Sequence, residues 1–145
     1  MVELTADRAA ALATRLAGEF YVDPVAAREA ALERRSFNVI HLETGIEVDL
    51  FVRGDEPFDF EEFARHRAEA LPFEGGRRVF VKSPEDILLR KLQWYESGGG
   101  VSDRQWGDIL GVVRTQASRP DRAYLTRWAA VLGVEASLAR AFGGA

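Results

Sequence analysis

Apolar positions recur at helical spacing over about residues 5–35, alternate through 36–53, return to helical spacing at 58–71, and after a second short alternating run keep helical spacing from residue 84 onward. A period near 3.6 marks a helix with one buried face, and a period of two marks a strand. After an apolar stub at residues 1–4, Thr5 can cap a helix whose first turn carries Asp7 at the positive end of the dipole. Leu12, Leu16 and the alanines between them give this helix its stripe, and Gly18 ends it. Asp23-Pro24 is a second start, a capping carboxylate followed by proline at the first helical position, and it predicts a helix to about Arg35.

The alternating stretch is SFNVIHLETGIEVDLFVR, residues 36–53. Two β-rich runs flank Thr44-Gly45, which reads as a hairpin. A two-residue turn pairs Glu43 with Ile46, and it sets Ile40 opposite Asp49, Leu42 opposite Glu47 and Asn38 opposite Phe51. Phe37, Val39, His41, Ile46, Val48 and Leu50 then share one face, which is apolar enough to pack on helices. Glu47 and Asp49 project from the other, mixed face. A slip of one residue would turn both carboxylates into the core, so the pattern selects this facing.

Further along, residues 58–71 read as an amphipathic helix with Phe60, Phe63 and Ala64 on its stripe. LPFEGGRRVFV, residues 71–81, reads as a second hairpin turning at Gly75-Gly76. Ser83-Pro84-Glu85-Asp86 is a strong helix start, followed at helical spacing by Ile87, Leu88, Lys91, Leu92 and Tyr95. The glycines at 98–100 break that helix, Ser102 opens the next, and two more helices cover about 122–132 and 135–142. The pattern therefore predicts an α+β fold. A small mixed sheet in residues 1–82 is packed by helices, and a helical half follows at 83–145, all in one domain.

Composition narrows the chemistry. With 145 residues, 47% of them hydrophobic, the chain can bury a core without staples. It has no Cys, which excludes a disulfide framework and a thiolate zinc site, and its two His argue against a histidine-rich metal site. The net charge of −4 gives no general argument for nucleic-acid binding, which stays open. No apolar run approaches the ~20 residues of a membrane span, and MVELTADRAA lacks a signal pattern, so the expected location is the cytoplasm.

SFNVIH followed by IEVDLFV, and then SPEDILLRKLQWYESGGGVSDRQWGDILGVV, resembles small bacterial nucleotidyltransferase-like proteins, similar to the AbiEii toxin group. The likeness runs from about Val2 to Gly133. It implies a nucleotidyltransferase-type sheet, Mg²⁺ as cofactor, a nucleoside triphosphate as substrate and a place in a toxin–antitoxin system. Residue by residue, Asp49 matches the third metal carboxylate, with Glu47 as a neighbouring candidate ligand. Lys91 matches a phosphate-binding lysine, Asp108 an orienting or basic aspartate, and Arg104 a second phosphate contact or an ion-pair partner of Asp108.

The family's G-S turn and D-x-D pair have no counterpart before Asp49. Val2-Glu3-Leu4 resembles the tail of the strand that would carry that pair, so the expectation is an N-terminally truncated sheet. It lacks roughly 30–40 residues, room for a helix plus a strand. Nucleotidyl transfer is then weak or absent. The alternative is a degenerate, non-catalytic domain that pairs with a second copy or a partner protein through an open sheet edge. For the remaining residues the bland readings are a hydrogen-bonded core histidine at His41 and core or interface positions at Trp94, Trp106 and Trp128.

Overall fold

A computed structural model describes residues 1–71, 76–115 and 120–143. The chain divides into two compact units, Met1–Ala64 and Arg65–Ala145.

In the first unit, α1 (Ala6–Leu16) begins where the Thr5 side chain accepts from the Arg8 amide. α2 (Pro24–Glu33) begins where Asp23 accepts from the amides of Val25 and Ala26. It ends two residues before the predicted boundary because Arg34 enters the left-handed region, φ 57°, and caps it. Small residues let the two helices approach closely: Ala9, Ala27, Ala30 and Ala31 are buried together with Phe37, Val39 and Val52 of the sheet. Leu12 and Leu16 pack against the same cluster.

The sheet of this unit orders β1 (Phe20–Tyr21), β2 (Ser36–His41) and β3 (Glu47–Phe51), all antiparallel. The hairpin register differs from the predicted one by two residues: Asp49 lies opposite Asn38, Glu47 opposite Ile40, and Phe51 opposite Ser36. The cause is a longer loop at residues 42–45. The His41 amide donates to the Ile46 carbonyl at 2.8 Å and the Gly45 amide to the His41 carbonyl at 2.8 Å, with Gly45 at φ 68°. A shift of two preserves the facing of every side chain, so the division into an apolar and a mixed face stands. Val2 adds one isolated parallel bridge to Val52, beyond the end of β3. α3 (Pro57–Ala64) closes the unit.

The second unit opens with a two-stranded antiparallel sheet, β4 (Arg67–Ala70) against β5 (Arg78–Val81). Residues 67–70 were expected to continue the preceding helix. They are a strand instead, because pairing with 78–81 overrides the helical preference of an alanine-containing run. Gly75 of the predicted turn lies outside the described residues. α4 (Pro84–Ser97), α5 (Asp103–Thr115), α6 (Arg122–Leu132) and α7 (Glu135–Gly143) then pack on one another. Leu88, Leu89, Leu92, Ile109, Leu125 and Ala129 are at their centre. The fold is therefore α+β with a helical C-terminal half. The expected single mixed sheet is corrected to two small antiparallel ones.

Candidate functional site

β3 carries the two carboxylates singled out in the sequence. Glu47 and Asp49 are two residues apart, so they share a face at a separation of roughly 7 Å along the strand. Both are exposed. The Asn38 amide group donates to the Glu47 carboxylate across the hairpin. Asp49 makes no side-chain contact of this kind among the described residues. Mg²⁺ takes one or two carboxylates with phosphates and water completing its shell, and a transfer centre with two ions needs more. Among the described residues no three His, Cys, Asp or Glu gather as a metal-ligand group. The donors at β3 do not fit a two-ion centre.

An open trough of about 430 Å³ is lined by Tyr21, Asp23, Ala26, Ser36, Phe37, Asn38 and Ile40, and so includes β2 residues of the carboxylate face. The α2 N-terminus borders it, a place where backbone amides can hold a phosphate. Here the Asp23 carboxylate already accepts from Val25 and Ala26, at 2.9 and 3.1 Å, and Pro24 has no amide hydrogen. Among the described residues no Lys or Arg lines the trough. It is poorly suited to a triphosphate.

The backbone of β3 has a different property. In an antiparallel pair, alternate residues exchange both hydrogen bonds with the partner strand, and the residues between them point theirs away. The bond from the Val52 amide to the Arg35 carbonyl, 3.0 Å, and the bond from His41 to Ile46 fix the phase. Val48 and Leu50 therefore bond to β2, and Glu47, Asp49, Phe51 and Arg53 point their N–H and C=O groups to the far side. Val2 uses the end of that side: its amide donates to the Phe51 carbonyl and its carbonyl accepts from Arg53, both at 2.8 Å. No such bond reaches the outward amides and carbonyls of Glu47 and Asp49 among the described residues. Apolar side chains flank this free stretch: Ile46 is 61% exposed, Val48 47% and Phe51 44%. Phe37 and Val39, on β2, are buried by α1 and α2, but that cover does not extend over Ile46 and Val48.

The other predicted site residues belong to the second unit. Lys91 on α4 donates to Asp108 on α5 at 3.1 Å, a partly exposed pair that ties the two helices. Asp108 thus pairs with Lys91; the Arg104 partner foreseen from i,i+4 spacing is not the one it uses. Arg104 lies exposed on α5. His41 is held as a structural histidine, its Nδ1 2.8 Å from the Thr44 hydroxyl and its ring edge-on to Phe20. Trp128 is buried, Trp106 packs against Tyr95 beneath the Arg140 guanidinium, and Trp94 is half exposed.

One polar cluster in this unit escaped the sequence reading. Asp86, fully buried, accepts from the Ser83 hydroxyl and the Tyr124 hydroxyl, each at 2.5 Å. Arg65 reaches it at 3.5 Å and stacks on the Tyr124 ring. The S-P-E-D start predicted Asp86 as a first-turn acid, but its contact with Tyr124, 38 residues on, has no local signal. The cluster is a clamp between α4 and α6, although the buried Arg65 Nε, 3.5 Å from Asp86, has no hydrogen-bond partner among the described residues.

No protein-family profile, curated protein or solved structure matches this chain. No helix among the described residues is long and apolar enough to cross a membrane.

Proposed function

We propose that this chain is a non-catalytic protein-binding module that takes up an extended segment of another chain along the free side of β3. The observation that carries this reading is the pair of outward, unbonded backbone groups at Glu47 and Asp49, flanked by the exposed apolar side chains of Ile46 and Val48. A strand edge in this condition offers main-chain hydrogen bonds to an incoming strand, and adjacent side chains supply selectivity. The test is a titration of the isotope-labelled chain with a capped neutral strand, Thr-Val-Thr-Val-Thr, followed by amide resonances. The reading predicts shifts centred on Glu47 and Asp49, lost in Glu47→Pro. Shifts elsewhere, or none, end it.

The nucleotidyl-transfer reading that the resemblance implies has one observation in its favour. Asp49 is exposed on a strand whose flank already carries a parallel neighbour, Val2. In that reading Asp49 binds Mg²⁺, Lys91 and Arg104 bind phosphate, and Asp108 orients the acceptor. Radiolabelled nucleotide transfer that drops in Asp49→Ala would support it; equal signals from both proteins, or none, would remove it.

A further inference from the structure

The free length of β3 is short. From Ile46 to Leu50 it offers about five residues, some 17 Å of strand, before Val2 closes the end. Any occupant must place a side chain directly opposite Glu47 and another opposite Asp49, at a Cβ separation of about 5 Å. Those two positions are acidic and exposed, and they lie on the same face. Between them, Val48 presents an apolar side chain on the opposite face, with Ile46 beside it.

A second copy that pairs through its own β3 in the antiparallel sense fails that requirement. Antiparallel pairing of β3 with β3 about a two-fold axis at Val48 sets Glu47 opposite the copy's Asp49, twice. An axis at Asp49 sets that carboxylate against itself, and an axis at Glu47 does the same there. Each antiparallel register that uses the free groups opposes like charges, which destabilises a strand pair. Edge strands use such charges to avoid pairing with themselves.

We infer that the occupant is a segment of a different protein, an extended run of about five residues that alternates basic and apolar side chains. Its Lys or Arg residues lie opposite Glu47 and Asp49, and its apolar residue covers Val48 beside Ile46. This inference rests on the strand-addition reading above and adds the chemistry of the partner. Each cross-strand ion pair contributes a small amount, and two together make a basic strand about tenfold tighter than a neutral one. The preference weakens as salt rises, because both carboxylates are exposed.

The experiment compares three capped peptides on the full chain at pH 7: Lys-Val-Lys-Val-Lys, Thr-Val-Thr-Val-Thr and Glu-Val-Glu-Val-Glu. Binding is read from the amide shifts of residues 46–50, so that diffuse attraction to an acidic protein is not counted. The expected order is basic, then neutral, with the acidic peptide unbound. Glu47→Gln with Asp49→Asn should bring the basic peptide down to the neutral one's affinity, and Glu47→Lys with Asp49→Lys should reverse the order. A basic peptide no tighter than the neutral one overturns the partner chemistry and leaves strand addition standing. No shift at residues 46–50 with any peptide overturns both. A dimer of the unaltered chain joined through β3 also overturns the inference.

Discussion

At the scale of single residues, two aspartates show how context divides one side chain into two roles. Asp86 is fully buried and holds Ser83, Tyr124 and Arg65. Replacing it with alanine strands the buried hydroxyls of Ser83 and Tyr124 and a partly buried cation. Asp86→Ala should cost about 3 kcal/mol or more in a denaturant titration. Loss of less than about 1 kcal/mol would show that the clamp carries little of the fold. Asp49 is exposed, and removing its side chain should leave stability within about 0.5 kcal/mol, the range of ordinary surface substitutions. Gly107 lies in the middle of α5 with open space where a Cβ would go. Gly107→Ala should therefore raise stability by about 0.5–1 kcal/mol, visible as a higher melting temperature. A lower melting temperature would mean that the helix is not formed as described.

At the scale of elements, capping chemistry was the most legible signal. Thr5, Asp23 and Ser83 each accept from an amide of the helix they open, as their residue types and positions implied. The division of the hairpin faces was legible for the same kind of reason, since the alternation of Phe37, Val39, Val48 and Leu50 has only one facing that buries apolar groups. The exact register was not. It depends on loop length, and Thr44-Gly45 suggested a two-residue turn where His41, Thr44 and Gly45 build a longer one. β1 was missed because two residues, Phe20 and Tyr21, are too few to show a period. The β4–β5 pair was half missed because its stability comes from a strand partner and not from its own composition. The phase of the β2–β3 ladder gives an element-scale prediction. Proline at position 47 removes only an outward amide, so Glu47→Pro should lower stability modestly. Val48→Pro removes a ladder bond to β2 and should cost about 3 kcal/mol or more. Equal losses in the two variants, measured by urea unfolding, would contradict the assigned phase.

At the scale of the whole molecule, the candidate site residues are divided between two units. Glu47 and Asp49 belong to the first, and Lys91, Arg104 and Asp108 to the second. Sequence order placed them in one motif, but what the geometry joins is Lys91 with Asp108, and Glu47 with Asn38. The acidic balance of the chain, −4 overall, also opposes close association of identical edges. Light scattering at pH 7 should therefore report a particle of 16.1 kDa across the usable concentration range. A mass of twice that value would favour pairing of two copies. The central claim is that Glu47 and Asp49 point open backbone groups to the far side of β3, while Val48 and Leu50 between and beside them are bonded to β2. Amide hydrogen exchange on the full chain reads this directly. The account predicts slow exchange at Val48 and Leu50, with fast exchange at Glu47 and Asp49 that slows when a strand-forming peptide is added. Slow exchange at Glu47 and Asp49 in the chain alone would contradict it.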